Sequence, residues 1–257
     1  MRIVIFTVEE PFYLPETLGK VLEKRGSNVV GVIVSSPARF APSLLKLAKR
    51  LWEFYGTKDF IIQSLLFLKN KILDIMPLKG FYSVKAAVAH YSVPLYRCNN
   101  INTPKFFALL SKQLKPDLII SMSFDQILRK PILELPSLGC INMHSAMLPK
   151  YRGMLPSFWV LVNGETETGI TVHYMNERID DGDIILQAKI EIMPEDTMHS
   201  LIIKGKETGA QLLLQALAQI ESGVVCTLPN DSNKATYYSF PKKDEVKKFR
   251  QRGRRFR

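Results

Sequence analysis

A chain of 257 residues, 46% hydrophobic and 23% charged, has the length for one large domain with a small appendage and the composition of an ordinary globular protein. Its net charge of +11 is unevenly placed: Lys242, Lys243, Lys247, Lys248, Arg250, Arg252, Arg254, Arg255 and Arg257 face only Asp244 and Glu245 in the last stretch, and the rest is mildly basic. The three cysteines, Cys98, Cys140 and Cys226, have no metal-type spacing and an odd count, which fits reduced thiols in the cytoplasm and argues against a disulfide framework.

The first apolar run is too short for a signal peptide, so Arg2–Thr7 reads as a strand, and no targeting segment is recognised. It leads into Val8-Glu9-Glu10-Pro11 without a glycine. A phosphate-cradling turn needs glycines and free amides at a helix N-terminus, so this is no dinucleotide fingerprint, and two adjacent carboxylates would repel a phosphate. A helical stretch, Pro15–Arg25, puts Leu18, Val21 and Leu22 on one face, and Asn28–Ser35 follows as a strand after the Gly26-Ser27 break.

Residues 37–81 are predicted as a helical insertion. Pro42–Tyr55 and Lys58–Met76 are rich in Leu, Ile, Phe and Trp, with Lys46, Lys49, Arg50, Lys58, Lys69, Lys71 and Lys79 interspersed. Such a pattern suits a helical hairpin over an active-site mouth, a basic amphipathic pair that touches membrane or RNA, or core packing and a homodimer interface. The run Ile61–Leu68 is far short of the roughly 20 apolar residues that span a bilayer, so no transmembrane segment is expected.

Strand-like Leu95–Cys98, helical Thr103–Leu114, strand Leu118–Met122 and strand Cys140–His144 continue the alternation, which predicts βαβ crossovers and a mostly parallel α/β sheet. Gly169–Met175 and Ile184–Ile192 read as antiparallel additions. Thr197–Ser222 reads as a long amphipathic helix, ahead of a polar stretch and the basic tail. The tail could meet RNA or another anionic surface by charge, or be a solvated, partly frayed end.

Asn142 and His144 lie two apart on an extended segment, so both side chains share a face. A carboxylate from the turn Ile179-Asp180-Asp181-Gly182-Asp183 could complete a group that stabilises an oxyanion and moves a proton. A lone strand histidine is usually a core residue and an Asp-Gly pair usually a turn. Placement decides between the readings, because ligands of open α/β sheets bind at the carboxyl ends of strands.

At these residues the chain resembles the folate-dependent formyltransferase family, which includes glycinamide ribonucleotide, methionyl-tRNA and amino-sugar formyltransferases. The resemblance rests on Asn142-Met143-His144, Leu148-Pro149-Lys150-Tyr151-Arg152-Gly153, Gly169-Ile170-Thr171 and Asp180-Asp181-Gly182, within residues 115–195. One departure is Ala146-Met147, where the family usually has Ser-Leu. The resemblance implies a Rossmann-like, mostly parallel sheet of the formyltransferase type, with the insertion near 37–81 and a short C-terminal appendage. A catalytic domain over 1–205 and a C-terminal helix with basic tail over 206–257 are the expected units.

It further implies catalysis by Asn142, His144 and Asp180, with Asp180 raising the pKa of His144 and His173 supporting the Asp180 loop. By the same resemblance, Phe124, Gln126, Ile127, Leu128, Asn176 and Ile179 hold 10-formyltetrahydrofolate, and Tyr151, Arg152 and Gly153 meet the acceptor. No metal is required. The acceptor is a primary amine on a small molecule, with a nucleotide-linked amino sugar as first expectation. Alternatives are an RNA-linked amine, as for methionyl-tRNA formyltransferases, or a non-catalytic nucleic-acid-binding module.

Overall fold

The computed structural model describes residues 1–36, 43–76 and 80–257. Its strands are β1 (Ile3–Val8), β2 (Val29–Ser35), β3 (Leu95–Cys98), β4 (Leu118–Met122), β5 (Cys140–His144), β6 (Arg152–Gly153), β7 (Glu167–Tyr174), β8 (Ile184–Glu191) and β9 (Tyr237–Tyr238). The main sheet has the order β3-β2-β1-β4-β5-β7-β8; the first five pair in parallel and the last two are antiparallel additions. Every residue of β4 is buried, as expected of a central parallel strand covered on both faces.

The helices are α1 (Leu14–Arg25), α2 (Leu44–Leu73), α3 (Val84–His90), α4 (Pro104–Ala108), α5 (Lys130–Leu133), α6 (Pro156–Asn163), α7 (Met198–Ser222) and α8 (Lys243–Gln251). Residues 109–114 continue α4 as a wider π turn. In α7, Thr197 and Ser200 form a capping box, and Leu201, Gly205, Gly209, Leu213 and Leu217, four apart, lie buried on one face. The helix runs without a break through residue 205.

Glu9 and Glu10 behave as helix caps. Glu10 accepts the backbone N–H groups of Phe12, Tyr13 and Leu14 at 2.7, 2.9 and 3.1 Å, and Glu9 accepts that of Val84 at 2.9 Å, where α3 begins. The amides that another chain could offer to a phosphate here hold a carboxylate of the protein itself.

Gly56, at φ +69, breaks α2 into two helical stretches, residues 44–55 and 57–73. A side chain there would be strained by that φ and would crowd the Arg250 guanidinium. The predicted helices at Pro42–Tyr55 and Lys58–Met76 correspond to these stretches, while residues 37–42 and Lys79 lie outside the described residues.

The basic tail is ordered, contrary to the frayed-end reading. Val246 and Phe249 of α8 and Phe256 beyond it are buried; Phe249 lies 5.0 Å from Phe158 and Phe256 5.0 Å from Phe54 between ring centroids. The carbonyls of Arg255 and Phe256 accept the N–H groups of Met198 and His199, two of the donors that the start of α7 leaves free. Apolar burial outweighs the local excess of charge because each phenylalanine removed from water contributes about 2–3 kcal/mol.

Candidate active site

Asn142 and His144 stand at the carboxyl end of β5, between β4 and β7, where parallel strands give way to antiparallel ones. The loop after β7 brings Asp180 to them, with the Asp180 backbone at φ +50. Its Oδ1 lies 3.2 Å from Asn142 Nδ2 and 3.6 Å from His173 Nε2. Its Oδ2 lies 3.4 Å from His144 Nδ1 and accepts the Gly153 N–H at 2.8 Å. Gly153 itself sits at φ +97, and a Cβ there would run into the Tyr238 carbonyl, so the glycine lets β6 approach both the carboxylate and β9.

His144 is 6% exposed and both ring nitrogens face oxygen. Nε2 is 2.8 Å from the Tyr151 carbonyl, which requires a proton on Nε2, so any proton gained arrives at Nδ1 beside Asp180. Burial pushes the His144 pKa down, and the opposing influences of Asp180 and the Tyr151 carbonyl do not restore it. Asp180 therefore acts in the expected direction on His144, but the net shift is downward. For Asp180, burial favours the neutral acid, yet His144, His173 and the Gly153 N–H more than offset it, and the carboxyl is held well below its ordinary range.

The neighbouring acids take other directions. Asp181 forms an ion pair with Arg152 and accepts from Ser232 Oγ at 2.6 Å and Asn176 Nδ2 at 3.2 Å, while Asp183 is exposed. Arg152 is buried and also donates to Asn230 Oδ1 at 2.8 Å; Asn230 in turn donates to the carbonyls of Asp180 at 2.9 Å and Gly182 at 3.1 Å. The Tyr151 hydroxyl donates to Glu165 at 2.6 Å, and its ring stacks on Tyr238 at 5.2 Å. Of the residues expected to meet the acceptor, Arg152 and Gly153 thus spend these groups on holding the Asp180 loop, and Tyr151 spends its hydroxyl on Glu165.

Around the expected folate slot, Gln126 and Leu128 point inward. Gln126 donates to Ser35 Oγ at 2.9 Å and accepts the Ile101 N–H at 2.8 Å, and Leu128 is in the core. Phe124 is half-buried against Phe6, whereas Ile127, Asn176 and Ile179 are exposed. Residues 123–129 form neither helix nor strand, so no regular ladder consumes their main-chain amides. A flat heterocycle with a hydrogen-bonding edge would fit such a donor set. Among the described residues no cluster of three or more His, Cys, Asp or Glu could hold a metal ion.

Sequence reading missed Lys206 and Ser123. Ser123 follows directly on β4, whose last residue Met122 is registered with Met143 of β5, and its backbone turns off the strand at φ +59. Lys206 donates to Ser123 Oγ at 2.9 Å. Burial lowers its pKa to about 8, with Glu10 acting in the opposite sense. The available signal was a lysine set among the small residues Gly205 and Gly209 of α7, where the helix passes close to the sheet.

The family described as formyl transferase matches residues 1–217. The chain belongs to the formyltransferase family. Among curated relatives, the methionyl-tRNA formyltransferase of Syntrophus aciditrophicus (strain SB) is 40% identical over 212 residues, covering 77% of this chain and 68% of the relative. That of Kosmotoga olearia is 36% identical over 200 residues, covering 72% and 63%. The chain thus spans about two thirds of the length of these relatives, and less of others. Among solved structures, the sugar 3N-formyl transferase WlaRD has a TM-score of 0.60 at 19% identity over 93% of this chain and 70% of that one. The phosphoribosylglycinamide formyltransferase of Bacillus halodurans has 0.60 at 18% over 86% and 96%. At that identity the likeness is one of fold.

Proposed function

We propose that this formyltransferase passes the formyl group of 10-formyltetrahydrofolate to the primary amine of an RNA-linked acceptor, of the kind its methionyl-tRNA relatives act on. The observation that carries the acceptor is the ordered basic helix α8: Val246 and Phe249 anchor it, while Lys243, Lys247, Lys248 and Arg250, with Arg252 just past its end, are exposed. Phosphates bind such a face by charge alone. Identity of 35–41% to methionyl-tRNA formyltransferases supports the same reading.

Bound 10-formyltetrahydrofolate would supply the carbon that is transferred. The chain's own part is electrostatic. The Asn142 NH2, which lies 3.2 Å from both Asp180 Oδ1 and His173 Nε2, would turn its N–H from His173 to an oxygen that gains negative charge, and a donor aimed at such an oxygen lowers the barrier by about 3–4 kcal/mol. Ionised Asp180 holds Asn142 and His144 in place, and proton uptake at His144 Nδ1 is stabilised by the same carboxylate. Asn142, His144 and Asp180 are the catalytic group in this reading, and the main chain near Phe124, Gln126, Ile127, Leu128, Asn176 and Ile179 holds the pterin.

A nucleotide-linked amino sugar is the second reading, favoured by the segment around Asn230 and β9, which clamps the Asp180 loop and walls one side of the site. The two are separated by tetrahydrofolate release with methionyl-tRNA or with a nucleotide-linked amino sugar as the sole acceptor. Turnover only with the sugar overturns the RNA reading. Turnover with neither, despite intact folate binding, overturns both.

A further inference from the structure

The second stretch of α2 carries an apolar stripe that the described residues leave uncovered. Ile61, Leu65, Leu68 and Ile72 recur at four, seven and eleven residues, and Ile75 and Met76 extend the stripe into the terminal turn; all are exposed, Leu65 by 62% and Ile75 by 84%. At the helical period these six fall within an arc of about 100°. The opposite side faces the protein: Asn70 donates to the Pro11 carbonyl at 2.8 Å, and Asp59 pairs with Arg250 at 3.7 Å. The stripe therefore points away from the body, beside the loop that follows β1 at the carboxyl edge of the sheet.

Charge decides what covers it. Lys58 and Lys69 border the stripe on one side and Lys71 on the other, all exposed, with no acidic residue between Asp59 and Asp74. A second copy packed here about a two-fold axis would set these lysines against the same lysines. An anionic bilayer surface complements both parts, since its headgroups meet the lysines while the leucines and isoleucines enter the acyl boundary. Among the described residues no helix is long and apolar enough to cross a membrane, so the contact is one of lying on the surface.

We propose that residues 57–76 form an interfacial helix that seats this enzyme on anionic phospholipid. The inference stands on the stripe and its lysines and does not depend on the acceptor. Helix α8 is a different surface: its apolar side chains are buried, so it offers charge without insertion.

The test is flotation of the full chain with vesicles of phosphatidylcholine alone, or of phosphatidylcholine and phosphatidylglycerol in equal parts. The protein should float with the anionic vesicles and not with the neutral ones. Leu65→Gln/Leu68→Gln should weaken that binding by about tenfold or more with the thermal midpoint unchanged, since both side chains are already in water. Lys69→Glu/Lys71→Glu should weaken it as well. Absence of flotation with anionic vesicles overturns the proposal. So does undiminished binding by the leucine variant, which would assign the attraction to α8 charge, and so does a dimer in sedimentation that the leucine variant dissolves without any lipid binding.

Discussion

Asp180 Oδ2 receives the Gly153 amide at 2.8 Å and faces His144 Nδ1 at 3.4 Å, so one carboxylate oxygen ties the His144 imidazole to the short strand β6. Through β6 it is tied to β9 and the C-terminal segment, which pair with it in parallel. The placement of Asp180 is therefore sensitive to packing some 60 residues further along the chain.

His144→Ala and Asp180→Asn are each expected to lower turnover by a factor of about 10² or more at equal folded fraction, because each removes charge stabilisation specific to the transition state. Asn142→Ala should behave alike. Folate affinity measured by fluorescence should hardly change; near-wild-type rates in the His144 or Asp180 variant would rule out the proposed roles.

The downward shift of His144 has a stability consequence of fixed sign. Below the ordinary pKa of 6.5 the unfolded chain takes up a proton that the folded chain refuses, so stability falls as pH drops from 6.5 toward the folded value. His144→Gln should flatten the thermal midpoint against pH in that window. The Asp180 contribution is intact there and is lost only as pH falls below 3.8 toward its lowered folded value. An unchanged slope in the glutamine variant would show that His144 is not the group responsible.

Arg152→Met should cost on the order of 3 kcal/mol and disorder the Asp180 loop, since it strands Asp181 without its guanidinium. Adding Asp181→Asn should recover part of the midpoint, because the unpaired charge is then gone. Additive losses, read by calorimetry, would mean that the pair is not coupled.

Phe249→Ala should destabilise the protein by about 3–5 kcal/mol, as its ring is fully buried between Phe158 and Phe256. By contrast, Lys247→Gln/Lys248→Gln should leave the midpoint in place. If RNA is the acceptor, that pair should weaken its binding and reduce the log–log salt slope by about 0.7–0.9 for each phosphate no longer neutralised. A slope that does not move would remove α8 from the acceptor surface.

Local pattern was enough for much of the frame. Alternating apolar strands, the 25-residue amphipathic helix after Thr197, and the two strands after β5 all follow from periodicities of two and 3.6 that each segment carries alone. Helix α6 did not stand out because Phe158, Trp159, Val160, Leu161 and Val162 are apolar all round and show no contrast between faces.

The Asn-x-His spacing likewise put Asn142 and His144 on one face before any fold was known. Family resemblance had already singled out Asp180, whereas the downward pKa of His144, the Lys206–Ser123 contact and the inward use of Arg152 are properties of surroundings built from distant segments. Burial and the direction of a carboxylate arise only when β5, the 176–183 loop, α7 and residues 230–238 meet. The tail makes the same point: its charge left a solvated end and an anionic contact both open, and three apolar side chains ordered it once Phe54 and Phe158 gave them somewhere to pack.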